Sequence, residues 1–167
     1  MPFIGIIAKE NDTNFIKNKI NKFSKRKLDI IKINKESVQN LRNIYFDIIV
    51  ISDDFEKLLE ISKYLEEILK RTKYLIINSD IIKEVINLTK SKVITYGLKY
   101  KSMITVSSIK KEKILICLQE PIEDINKKLI ENQEFIVEIS KMGLNKIYNS
   151  MILFAILLIY GQKLEKI

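Results

Sequence analysis

Short runs of β-branched apolar residues alternate along the chain with longer stretches in which apolar positions recur every three or four residues. That alternation is the pattern of a sheet whose crossovers are helices. Phe3 to Ala8 is apolar almost throughout and predicts a first strand buried on both faces. Thr13 to Phe23 follows, with Phe15, Ile16, Ile20 and Phe23 near helical spacing. Leu28 to Ile33 predicts a second strand, Ser37 to Asn43 a short helix and Phe46 to Ser52 a third strand. From Asp54 to Arg71 the residues Phe55, Leu58, Leu59, Ile61, Leu65, Ile68 and Leu69 make one apolar stripe with lysine and glutamate opposite, an amphipathic helix. Tyr74 to Asn78 and Lys92 to Tyr96 predict two more strands with a helix between them over Ile81 to Thr89.

After Gly97 the pattern changes. Met103 to Ser107 and Lys113 to Leu118 are separated by a short charged link, which predicts an antiparallel hairpin, and Glu134 to Ile139 alternates as an edge strand does. Leu144 to Lys166 predicts a closing helix. Its stretch Met151 to Tyr160 is apolar on all sides, yet at ten residues it is about half of the ~20 needed to cross a bilayer. Such a helix needs cover all round. A homodimer contact through Phe154, Leu157 and Leu158 is expected to supply it, unless the hairpin and edge strand fold over the helix instead. The fold class is α/β: a mostly parallel Rossmann-like or P-loop-like sheet with helices on both faces and antiparallel strands in the C-terminal half. No Pro/Gly-rich linker or repeat divides residues 1–167, so one domain is expected.

Composition narrows the chemistry. The 167 residues contain no histidine and one cysteine, Cys117. A Ser-His-Asp triad, a Cys-His pair, a zinc finger and a disulfide framework within one chain are therefore excluded. Nothing suggests a metal site or a cofactor. The apolar start is too short for a signal peptide and runs at once into Lys9 and Glu10, which with the lone cysteine points to the cytoplasm. The formal net charge is +8, but all but three of the 29 basic residues are lysine. Arginine is the side chain that reads guanine edges and grips phosphate bidentately, so its scarcity argues against specific nucleic-acid binding.

Several spaced residues say more than the alternation does. Tyr74-Leu75-Ile76-Ile77-Asn78-Ser79-Asp80 is followed by Val93-Ile94-Thr95-Tyr96-Gly97, by Val106-Ser107-Ser108-Ile109, and by Gly143-Leu144-Asn145-Lys146-Ile147-Tyr148-Asn149-Ser150. In that order they resemble the central domain of Mur ligases, the ATP-dependent amino-acid ligases of peptidoglycan synthesis. There a strand ends in Asn-Ala-Asp-Asp, the next in Thr-Tyr-Gly, the next in Ala-Ser-x-Ile, and a helix carries Gly-x-His-Asn-x-x-Asn-Ala. The resemblance covers roughly residues 63 to 161.

The departures fall on the nucleotide site that the family would have. Its Gly-Thr-Asn-Gly-Lys-Thr-Thr loop, whose backbone N–H groups and lysine hold phosphate, corresponds to Ala8-Lys9-Glu10-Asn11-Asp12-Thr13-Asn14. Both glycines are gone, Asp12 stands where the lysine would be, and Glu10 adds a second negative charge. The His-Asn pair becomes Asn145-Lys146, and only the later asparagine, Asn149, remains. The family's carbamylated lysine would correspond to Lys63, and its magnesium ligands have no counterpart. The resemblance therefore implies a vestigial nucleotide crevice formed by Lys9, Glu10, Asn11, Asp12, Thr13, Asn78, Asp80, Asn145, Lys146 and Asn149. It implies a non-catalytic binding or regulatory module that lost ATP and meets a protein partner or its own copy. The alternative is a nucleotide- or small-ligand-binding enzyme using an altered loop at residues 8–14.

Other constellations have plainer readings. Asp53 and Asp54, with Thr95, would suit a receiver domain, but an acidic pair after the first strand is missing and an N-cap explains them better. Glu66 with Glu67, and Glu120 with Glu123 and Asp124, read as solvated helix ends rather than acid/base pairs. Cys117 reads as a small buried hydrophobe. Tyr96, Tyr100 and Tyr148 are either a stacking surface or core edges with wet hydroxyls. From the lysine-dominated charge we expect only weak, sequence-independent nucleic-acid binding that disappears at ~150 mM salt, because such affinity comes from counterion release. Gel shifts with duplex and single-stranded probes check this, and submicromolar affinity for one sequence refutes it.

Overall fold

Isoleucine and valine suit an extended, half-buried or fully buried backbone, and the five apolar runs before residue 97 become parallel strands. They are β1 (Phe3–Ile7), β2 (Asp29–Lys32), β3 (Ile48–Ile51), β4 (Tyr74–Asn78) and β5 (Lys92–Tyr96). Their order across the sheet is β2-β1-β3-β4-β5, and every neighbouring pair is parallel. Next, β6 (Ile104–Lys110) joins β5 in parallel and β7 (Lys113–Leu118) returns antiparallel. The strands β8 (Ile122–Glu123) and β9 (Leu129–Ile130) form a separate small hairpin, and β10 (Gln133–Glu138) closes the sheet edge against β7. Helices α1 (Glu10–Phe23), α2 (Lys63–Arg71) and α3 (Leu144–Ile159) complete the α/β fold around a mixed, mostly parallel eight-stranded sheet. This is a computed structural model, and it describes residues 2–52, 63–82, 90–99, 101–139 and 143–162.

Alternate residues of each strand face opposite layers. Ile4 and Ile6, Ile48 and Val50, Tyr74 and Ile76, and Ile94 and Tyr96 join the apolar cluster that contains α1 and α3. Ile7, Ile49, Ile51, Leu75 and Ile77 join the cluster on the other face, with Leu65, Ile68 and Leu69 of α2. Glycine is needed at position 5, where an added Cβ would lie 2.5 Å from Ile33 Cδ1 and 3.2 Å from both Ile49 and Phe46. The predicted hairpin and edge strand are present as β6–β7 and β10.

Two local expectations are corrected, and one hairpin carries no sequence signal. Residues 35–43 form consecutive turns rather than a helix over Ser37 to Asn43. Asn34 Oδ1 accepts the Glu36 and Ser37 N–H groups at 3.0 and 2.9 Å, a local alternative to helical bonding. Helix α1 begins at Glu10, before the apolar pattern starts, with Glu10 and Asp12 placed where the helix dipole favours carboxylates. The β8–β9 hairpin had no periodic signal because each strand is two residues long. The predicted helices over Asp54 to Arg71 and Ile81 to Thr89 lie outside the described residues except for α2 and for Ile81 and Ile82. So does the closing helix beyond Gln162.

The all-round apolar helix α3 is buried from Asn149 through Ile159, and Tyr160 beyond it is buried too. The sheet lies beneath it and α1 beside it. Phe135 of β10 meets Phe154 edge-on at 4.8 Å between ring centres. At its C-terminal end the Ile125 N–H donates to the Ile159 carbonyl at 2.8 Å. Gly161, at φ +67°, ends the helix in a Schellman turn: its N–H reaches the Leu158 carbonyl and that of Gln162 the Leu157 carbonyl, both at 2.8 Å. Phe154, Leu157 and Leu158 are therefore core within one chain, at 0, 1 and 3% exposure, and not an interface. No helix among the described residues is long and apolar enough to cross a membrane. Leu157→Glu is expected to cost on the order of 4 kcal/mol or more, because it buries an unpaired carboxylate. Circular dichroism should show an unfolded variant; a folded variant whose only change in sedimentation is dissociation refutes the core assignment.

Candidate functional site

In an open parallel sheet the connections on either side of the strand where the order reverses diverge and leave a crevice at the carboxyl ends. Here the reversal lies between β1 and β3. A cavity of about 260 Å³ opens at that end. Lys9 and Asp12 reach it from the β1–α1 junction, Ser52 from the end of β3, Asn78, Asp80 and Ile81 from the end of β4, and Lys99 from beyond β5. The start of α3 closes it with Leu144, Asn145, Tyr148 and Asn149.

Asp80 braces this end of the sheet. Its Oδ2 accepts the Leu98 N–H at 2.6 Å and the Tyr148 hydroxyl at 2.8 Å, while Oδ1 accepts the Lys99 N–H at 2.8 Å. The Asp80 N–H donates to Asn78 Oδ1 at 3.0 Å. One carboxylate thus joins the end of β4, the turn after β5 and α3. Gly97 makes room for it: a Cβ there would lie 2.7 Å from Ser79 Oγ and 2.8 Å from Asp80 Oδ1. Burial, and next the hydrogen bond to Asp80, push the Tyr148 hydroxyl up to about 12. Beneath it, Tyr96 packs edge-on at 6.3 Å between ring centres. The Tyr96 hydroxyl is buried without a hydrogen-bond partner among the described residues. Burial drives its pKa strongly upward, and the nearby Ser52 hydroxyl, which is not in hydrogen-bonding geometry, offsets only part of that.

The β1–α1 junction is shorter than a phosphate loop. Only Ala8 and Lys9 separate strand from helix, so Glu10, Asn11, Asp12, Thr13 and Asn14 belong to α1 and the altered loop expected over residues 8–14 reduces to two residues. The Asn149 amide Nδ2 donates to Asp12 Oδ1 at 2.7 Å and ties α3 to α1. Glu10 turns instead to Lys32 on β2, whose ammonium holds the Glu10 carboxyl below its usual range first by a hydrogen bond and then by charge. Thr13 is buried, and its hydroxyl donates to the Lys9 carbonyl at 3.0 Å.

Of the ten residues expected in the crevice, Lys9, Asp12, Asn78, Asp80, Asn145 and Asn149 line one cavity. Glu10, Asn11, Thr13 and Lys146 do not. Ser52, Ile81, Lys99 and Leu144 were not singled out for this site; position after a strand end was the available signal for the first three. Tyr148, which the sequence offers as a stacking surface or as a core edge with a wet hydroxyl, is half-buried and its hydroxyl donates to Asp80. Lys63 sits exposed at the start of α2 and does not line the cavity.

The remaining candidates are structural. Glu66 pairs with Lys70 one turn on, and Glu123 with Lys92. Asp124 Oδ1 accepts the Asn126 and Lys128 N–H groups, each at 2.8 Å, and so shapes the β8–β9 turn. Thr95 Oγ1 accepts the Met103 N–H at 3.0 Å. Burial pushes the Cys117 thiol up, away from the nucleophilic thiolate. Asp53, Asp54 and Tyr100 lie outside the described residues. No family model matches the chain, and no curated protein shows significant similarity to it.

Tyr148 generates a titration test. Its folded-state value lies above the ~10 of an unfolded tyrosine, so this group's contribution to stability is complete below pH ~10 and is lost as pH rises toward about 12. Ultraviolet titration should show one fewer late phenolate in Tyr148→Phe than in the wild type, where burial raises Tyr74, Tyr96 and Tyr160 as well. Asp80→Asn should lower the Tyr148 pKa part of the way, since burial remains. A Tyr148 that ionises near 10 in the folded wild type refutes the geometry.

Proposed function

We propose that the chain is a non-catalytic, cytoplasmic binding module related to the Mur ligase central domain, holding a small molecule in this crevice where the family would hold ATP. The observation that carries the reading is the β1–α1 junction. A triphosphate needs a loop of free N–H groups with a cation at its end. Here the helix starts two residues after the strand region ends, and the carboxylate of Asp12 stands in its first turn, tied to Asn149. Negative charge at that helix end is already supplied by the protein itself.

Two further points support binding without catalysis. The residues that resemble the family's strand ends and its last helix, Asn78, Asp80, Asn145 and Asn149, line one cavity together with Asp12. Polar groups at the carboxyl ends of parallel strands are where open α/β sheets hold ligands. Within that cavity Asp80 accepts three hydrogen bonds from protein donors, and the Tyr148 hydroxyl is held too weakly acidic for proton transfer near neutrality. At about 260 Å³ the space lies just under the ~300–1,000 Å³ of drug-sized sites, so it suits a small occupant.

Isothermal titration with millimolar Mg-ATP should give no binding heat, and Asp12→Lys alone should not create any, because no phosphate loop accompanies it. Micromolar ATP binding by the wild type overturns the reading.

A further inference from the structure

We infer that the crevice recognises an uncharged ligand by an amide edge, a carbonyl beside an N–H, with an apolar face set against its mouth. This rests on the reading that the crevice binds a small molecule. Two asparagines on different elements carry it. Asn78, 2% exposed, uses its Oδ1 to accept the Asp80 N–H, which orients the amide and leaves its NH2 without a partner among the described residues. Asn149, 4% exposed, uses its Nδ2 to donate to Asp12 and leaves its Oδ1 without one. Both residues line the cavity. One unused donor and one unused acceptor complement a ligand that accepts at one atom and donates at the next.

The Tyr96 hydroxyl, buried and without a hydrogen-bond partner among the described residues, lies behind Tyr148 and does not itself line the cavity.

The charge pattern decides against an ionic head group. An anion would approach the Asp12 and Asp80 carboxylates, whereas a cation would compete with the Asn149, Leu98, Lys99 and Tyr148 donors that already hold them. The ammonium-bearing residues Lys9 and Lys99 are exposed, where water and salt screen their charge. At the mouth stand two large apolar side chains, Ile81 and Leu144, 57% and 60% exposed, which an apolar ligand face would cover.

Three probes of one shape test the head group: benzamide, benzoate and benzylammonium, each titrated into the full chain and followed by amide NMR. Benzamide is expected to shift the side-chain amides of Asn78 and Asn149 and to bind at least tenfold more tightly than either ion. Asn78→Asp keeps the acceptor for Asp80 and removes the NH2, so it should weaken benzamide at least tenfold while the backbone spectrum outside the crevice stays that of the wild type. If that variant fails to fold, Leu144→Ser with the same three probes replaces it and should weaken benzamide by removing apolar cover at the mouth. Equal or tighter binding of benzoate or benzylammonium at the crevice overturns the amide edge and leaves the small-molecule reading standing. Benzamide binding undiminished in the variant, or silence with all three probes, also overturns it. Micromolar ATP binding removes the underlying reading whatever the probes do.

Discussion

A helix with no polar side must be enclosed, and the enclosure of α3 organises the C-terminal half of this protein. Isolated apolar area of that size would drive association. The chain instead surrounds the helix with the sheet, with α1, and with Phe135 of the edge strand, and the loop through Ile125 bonds its last turn. The antiparallel extension of an otherwise parallel sheet has its physical role here. Strands β7 and β10 carry Ile114, Ile116, Leu118 and Val137 into the same cluster as the helix.

Fixing α3 also fixes what stands at its other end. Its first turns are the only polar part of the helix, and they meet the carboxyl ends of β1, β3, β4 and β5. Asn149 reaches Asp12 on α1 and Tyr148 reaches Asp80 beyond β4. Burial of the apolar stretch from Met151 thus positions the polar start of the helix, and hydrogen bonds join the walls of the crevice. The same bonds occupy the carboxylates of Asp12 and Asp80. Among the described residues they leave one amide donor and one amide acceptor of the cavity unmet.

Gly97 shows how a short motif can be architectural. Its missing Cβ lets Asp80 close on the backbone of Leu98 and Lys99. In this chain Gly97 serves the brace and Tyr96 before it packs against Tyr148. By contrast, the residues from Glu10 to Asn14 form no loop and belong to the first turns of α1. Glu10 pairs with Lys32 on β2, so of the two acids in the first turn of α1 only Asp12 lines the crevice.

Periodicity along the chain determined the strands, because a continuous apolar run such as Ile48–Ile51 can be buried on both faces only as a central strand. It determined the change from parallel to antiparallel pairing after Gly97, since the link before Lys113 is too short for a crossover helix. The resemblance, rather than any periodicity, pointed to most of the polar residues that line the crevice. Neither could tell that Glu10 would turn to Lys32, that Asn34 would hold residues 35–43 in turns, or that two-residue strands would form a hairpin, because those outcomes depend on local bonds rather than on a repeat. The cover of α3 was decided only in three dimensions. A helix apolar all round reads the same in sequence whether its partner is a second copy or another part of its own chain, and the folded strands and α1 make it the latter.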